Sequence, residues 1–82
     1  SEEFGSKWDL AMSFWSIASL NLALADSAAM NDKQRYNYLY EVIENGNKSI
    51  EFAREIGAMH IESDVAEILM IAYKNIFELI SR

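Results

Sequence analysis

Apolar residues recur along this chain at alternating steps of three and four, the spacing of one face of an α-helix. Trp8, Ala11, Trp15, Ala18, Leu22, Ala25 and Ala29 form such a seam, and the pattern predicts a first helix over about 7–29. Leu10, Phe14, Ile17, Leu24 and Ala28 make a second apolar row beside it, and the remaining stripe (Asp9, Ser13, Ser16, Leu20, Ala23, Ser27) is only weakly polar. A helix apolar on nearly every side is expected to be enclosed on most of them, which two partner helices do poorly. A second helix is predicted over 32–56, with Asn31 as N-cap and Asp32 favourable in the first turn. Its seam is Tyr36, Leu39, Ile43, Gly46, Ile50 and Ala53, and its opposite face (Asn37, Glu41, Glu44, Lys48, Glu51, Glu55) is solvated. Because the register holds on both sides of Gly46, the helix is expected to run through it, with the glycine admitting a bulky neighbour; a break at the turn signal Asn45-Gly46-Asn47 is the alternative. Gly57 supplies a C-cap. A third helix follows from Ile61 or Ser63 to Ser81, with the seam Ile61, Val65, Ile68, Ala72, Ile76 and Leu79, flanked by Leu69, Tyr73 and Ile80. Its outward stripe carries Met70 and Phe77, seven residues apart and bordered by Ile71.

Short connections make consecutive helices antiparallel neighbours. The expected fold is all-α: an antiparallel bundle of three long helices, associating as a dimer that covers the surplus apolar surface of the first. Composition agrees. The chain has 82 residues, no proline and three glycines, too little punctuation for a β-rich domain. No cysteine is present to form a disulfide or thiolate site, which fits a cytosolic origin better than a small secreted scaffold. Residues 1–6 end in Glu-Phe-Gly-Ser, the translation of two adjacent cloning sites, and are read as an expression scar. The domain is then 7–82, taken from a larger protein. The run from Leu10 to Ala25 resembles a signal-peptide core, but with Asp9 and Asp26 at its ends it is too short for a membrane span and is read as a buried helix.

The stretch Ser49-Ile50-Glu51-Phe52-Ala53-Arg54-Glu55-Ile56-Gly57 resembles the second helix of a tetratricopeptide repeat. Ala66-x-x-Leu69-Met70-x-x-Tyr73 has the spacing of the repeat's first helix, with Met70 where glycine is usual, and Trp15-x-x-Ala18-Ser19-x-x-Leu22 echoes it. Trp15 and Ala66 stand 51 residues apart, against a repeat period of 34. The resemblance therefore implies an antiparallel helical interaction hairpin rather than a tandem array.

Charge narrows the partners. The net charge is −6, and the seven cations (Lys7, Lys33, Arg35, Lys48, Arg54, Lys74, Arg82) are scattered, which disfavours nucleic acid and anionic membranes. Tyr36, Tyr38 and Tyr40 beside Arg35 invite base stacking, but at steps of two they do not share one helical face. The only histidine, His60, lacks a second histidine or cysteine at ligand spacing, so no metal or cofactor is implied. Carboxylate pairs such as Glu41 and Glu44 lie on the wet face, where acid–base chemistry finds no desolvated cleft. Phosphate-cradling loops are missing because the glycines are isolated.

The sequence thus points to a non-catalytic, cytoplasmic domain that binds a protein partner or a second copy of itself, without nucleic acid. The interface is expected at Trp8, Met12, Trp15, Leu20, Met70 and Phe77, with Tyr36 and Tyr40 as secondary candidates. A small acidic inhibitor or chaperone-like protein acting on a larger target is the alternative.

Overall fold

The computed structural model describes residues 2–82 as three helices, α1 (Glu2–Ala25), α2 (Asp32–Glu55) and α3 (Met59–Ile80), with no strand among them. They run up, down and up in an elongated antiparallel bundle whose Cα trace measures 48 × 18 × 14 Å. The middle helix is the spine. Both α1 and α3 pack along α2, whereas α1 and α3 meet only sparsely.

Small residues set this arrangement. Ala11, Ala18 and Ala25, seven apart, are the buried residues of α1, so its backbone comes close to α2. At that contact the buried Ser49 hydroxyl donates to the Ala11 carbonyl at 2.7 Å. On the other flank of α2, Gly46 meets Leu69 of α3: a Cβ built on Gly46 would lie 2.6 Å from Leu69 Cδ2. The uninterrupted helix through Gly46 is therefore as the sequence register predicts, and a bulky neighbour does occupy the space a side chain would take. Two apolar clusters fill the interior. One joins Ala11, Ile50, Ala53, Ile61, Val65 and Leu69, and the other Ala18, Ala25, Leu39, Val42 and Ala72.

The helix ends depart from the sequence reading where side chains from other parts of the chain reach them. α1 begins at Glu2 rather than Lys7: Glu2 and Glu3 suit the first turn, Lys7 Nζ pairs with Glu3 at 2.7 Å and Glu55 at 3.1 Å, and Phe4 stacks on Trp8. Most of the segment read as a scar is thus helical, Ser1 lying outside the described residues. α1 stops at Ala25 instead of Ala29. It has no basic residue in its last turn, and Arg35 of α2 reaches back to donate to the carbonyls of Ala25 (2.8 Å), Ser27 (3.0 Å) and Met30 (3.3 Å). Asn31 caps α2 as expected, and Gln34 completes a reciprocal capping box.

A Schellman motif ends α2. Gly57 takes φ 69°, its N–H bonds the Arg54 carbonyl, and the Ala58 N–H bonds that of Ala53. This tight reversal starts α3 at Met59, ahead of the expected Ile61. Burial also shifts within α2: Val42 and Ser49 are buried, whereas Tyr36, assigned to the seam, is exposed. Within the single chain, α1 is not enclosed. One face is covered, and Leu10, Ile17, Leu20 and Leu24 stay exposed.

The Gly46–Leu69 contact has a distinctive mutational signature. Alanine at Gly46 gains about 1 kcal/mol in helix propensity but overpacks against Leu69, a cost of about 1–3 kcal/mol. Gly46→Ala is expected to lower stability in the native background and to raise it in the Leu69→Ala background, where the space is free. Urea denaturation of the four proteins of this cycle measures both signs, and additivity of the two substitutions would refute the contact.

Candidate functional site

No helix among the described residues is long and apolar enough to cross a membrane, and no group of three or more His, Asp or Glu side chains is placed to hold a metal ion. Candidate function is therefore read from the surface. Besides the exposed Leu10, Ile17, Leu20 and Leu24 of α1, the packing order, with α2 central and α1 and α3 apart, leaves two regions between helices where apolar side chains face outward.

The first lies between α1 and α3, which run parallel. The Trp8 and His60 rings, 5.9 Å between centroids, set the register at one end. Beyond them, Met12, Trp15, Ser16 and Ser19 line an open hollow of about 450 Å³. It adjoins one of about 420 Å³ lined by Ser19, Leu22, Ala23 and Asp26 of α1 with Ile68, Ile71 and Asn75 of α3. A third hollow, bounded by Glu67, Met70 and Ile71, continues onto the outer side of α3. Shared residues (Ser19, Ile71) join the three into one groove. Its α1 wall takes Trp15 and Leu22 from the seam row itself and Met12, Ser16, Ser19 and Ala23 from the flank beside it, and the small side chains at Ser16, Ser19 and Ala23 keep it open.

The second region lies on the α2–α3 flank away from α1. Asp32–Arg82, Gly46–Leu69 and Arg54–Glu62 are paired contacts that fix the antiparallel register. This register brings Tyr36 and Tyr40 level with Tyr73, Phe77 and Ile80, all exposed. Glu44 borders the patch. Its negative charge, and the hydrogen bond its carboxylate accepts from the Tyr40 hydroxyl, hold Tyr40 above the ordinary tyrosine pKa range.

The candidate residues divide between these regions. Trp8, Met12 and Trp15 are half-buried against the first core cluster, so each is partly structural. Met12 and Trp15 line the groove, and Met70 stands at its outer lip. Phe77 joins Tyr36 and Tyr40 in the aromatic patch. Leu20 belongs to neither and stands on the outer face of α1, 60% exposed. Ser19, Ala23, Ile71 and Asn75 in the groove, and Tyr73 and Ile80 in the patch, were not among the sequence candidates. The steps from Ser19 to Ala23, from Ile71 to Asn75 and from Tyr73 to Ile80 are helical repeats that give each pair a common face. The tetratricopeptide-like stretch runs through the C-terminal half of α2, where Ile50 and Ala53 are core and Gly57 is the cap. Comparison with protein-family models, with curated proteins and with solved structures finds no match to this chain.

The Tyr40–Glu44 pair is open to spectroscopy. Absorbance titration of the phenolates is expected to show Tyr40 ionising above the ordinary tyrosine range, because loss of its proton places two negative charges side by side. Glu44→Gln removes that charge and is expected to bring Tyr40 down, while Glu41→Gln has the smaller effect. An unchanged Tyr40 titration in Glu44→Gln would contradict the assigned cause.

Proposed function

We propose that this chain is a non-catalytic protein-interaction domain, joining a partner or a second copy of itself through apolar side chains on α1 and α3. The reading rests on one observation: Met70 is 70%, Phe77 67% and Leu20 60% exposed, in a chain of only 82 residues. Single exposed apolar residues such as Leu20 are ordinary, but Met70 borders the groove and Phe77 belongs to the aromatic patch, and contiguous apolar surface of that kind marks contact sites. Met and aromatic side chains are also over-represented in interface cores. The exposed row Leu10, Ile17 and Leu24, spaced by sevens along α1, is the surface best suited to self-association, since a second α1 could meet it seam to seam. The resemblance of α2 to a tetratricopeptide-like hairpin is in keeping with this role. The scattered cations and net charge of −6 favour protein over nucleic acid as the partner.

Two measurements test the proposal. Light scattering over about a hundredfold concentration range is expected to show mass action for a self-associating chain, and Ile17→Asp should then hold the protein monomeric without altering its helical circular dichroism. Photo-crosslinking residues placed at Leu20, Met70 and Phe77, compared with Asn37 and Glu41 on the solvated face of α2, report contacts in the source cell. Adducts concentrated at the apolar positions support the reading. A monomer at every concentration, with no more adducts at those positions than at Asn37 and Glu41, would sink it.

A further inference from the structure

The charged side chains that line the three hollows of the α1–α3 groove are carboxylates. The side chains lining its three hollows include the carboxylates of Asp26 and Glu67 and no lysine or arginine. Asp64 stands one turn before Ile68 on the same row of α3, and Glu78 one turn after Asn75, so the α3 edge carries three carboxylates, Asp64, Glu67 and Glu78, with the single cation Lys74 among them. Asp26, Asp64, Glu67 and Glu78 enter no ion pair among the described residues.

Of the cations, Lys74 stands on this edge, one turn before Glu78 and two turns after Glu67, and enters no ion pair among the described residues; most of the others are engaged elsewhere. Lys7 pairs with Glu3 and Glu55, Arg54 with Glu62, and Lys48 sits 5.5 Å over the Phe14 ring. Arg35 and Arg82 adjoin Asp26 and Glu78 at the end of the groove. The Arg35 guanidinium, however, is taken by three backbone carbonyls and that of Arg82 by Asp32. A second copy of this chain would bring matching carboxylates and few free cations to the groove.

We infer that the α1–α3 groove receives a basic amphipathic helix from a partner protein, an inference that rests on the interaction-domain reading above. Trp15, Leu22, Ile68 and Ile71 form the apolar floor for its hydrophobic stripe, and Asp26, Asp64, Glu67 and Glu78 receive the lysines or arginines flanking that stripe. A helix is the occupant that fits. The groove lies between two parallel helices, the place a fourth helix takes in a bundle. From Met12 to Asp26 it extends about 21 Å at 1.5 Å per residue, the length of a helix of about four turns. Residues at steps of three, four and seven would meet the floor, the usual way a helix lies in an apolar groove.

The probe is a fluorescein-labelled peptide of about 16 residues, with leucine on one helical face and lysine on both flanks. One twin carries glutamate for lysine and another carries proline at its centre. Anisotropy titration is expected to show micromolar binding of the lysine peptide that weakens with added salt, and binding about tenfold or more weaker for either twin. Ile71→Asp and Glu67→Lys, both at exposed positions, should each weaken the lysine peptide about tenfold or more with circular dichroism unchanged. Phe77→Asp should leave it bound as before. Amide shifts in labelled protein should map to Ser16, Ser19, Ala23, Ile71 and Asn75.

Equal binding of the lysine and glutamate peptides, or no loss with the proline twin, overturns the inference. So does binding that Phe77→Asp abolishes and the groove variants leave intact, an outcome under which the interaction-domain reading survives at the aromatic patch. Failure of every peptide to bind also overturns it, and the crosslinking pattern then decides the broader reading separately.

Discussion

The contact between Gly46 and Leu69 is the constraint on which the other features depend. Where a side chain on α2 would stand, Leu69 of α3 stands instead, and a Cβ there would come within 2.6 Å of it. Ser49 and Ala53, further along α2, give similarly little bulk, and Ala11, Ala18 and Ala25 do the same for the facing side of α1. Small residues are thus concentrated at the contacts of α2 with its neighbours. Large ones on the facing rows of α1 and α3, Trp15 and Leu22 against Ile68 and Ile71, stand where those two helices approach each other. Close packing on the spine and bulk between the flanks leaves α1 and α3 apart, with the groove as the result.

Electrostatics follows the same division. The ion pairs Lys7–Glu55, Arg54–Glu62 and Arg82–Asp32 each join an end of α2 to a neighbouring helix, and Arg35 ties the end of α1 to the start of α2. Exposed pairs of this kind are worth little individually. Their placement leaves Asp64, Glu67 and Glu78 on the α3 edge outside any ion pair among the described residues, with Lys74 the one cation among them. A net charge of −6 is consequently not spread evenly; part of it frames the one apolar groove that the helix spacing opens.

Much of the fold was legible from periodicity because each helix has a well-marked seam, even α1 with its second apolar row. The alanine and tryptophan spacing of α1 located Ala11, Ala18 and Ala25. The persistence of register across Asn45-Gly46-Asn47 implied a continuous α2, despite a tripeptide that usually turns. Helix ends were less legible, because they are decided by groups distant in sequence: Arg35 caps α1 from ten residues away, and Phe4 and Lys7 extend α1 backward through Trp8 and Glu55. Tyr36 was assigned to the core from its position on the α2 seam. Its exposure reflects α3, whose Tyr73 and Ile80 row leaves that flank open, a property of two helices together that no single-helix pattern contains.

The candidate groove illustrates the same limit. Met12 and Trp15 were legible as large apolar residues on a helix with too much apolar surface, and Met70 as an outward one. Ser19, Ala23 and Asn75 carry no signal alone, being small or polar residues of the kind found on any helix surface. They acquire meaning only when the parallel register of α1 and α3 sets Ser19 and Ala23 opposite Ile71 and Asn75. The surplus apolar character of α1, which sequence reasoning assigned to enclosure within a dimer, is divided by the fold into two separate faces. Leu10, Ile17 and Leu24 face away on one side, while Trp15 and Leu22 look across a groove edged by acids on the other. A neutral apolar face and an apolar floor with charged walls select different occupants, because desolvating unpaired carboxylates against another acidic surface is costly, whereas pairing them with cations offsets that cost. On the proposed reading, one helix with too much apolar surface would serve two contacts of different chemistry.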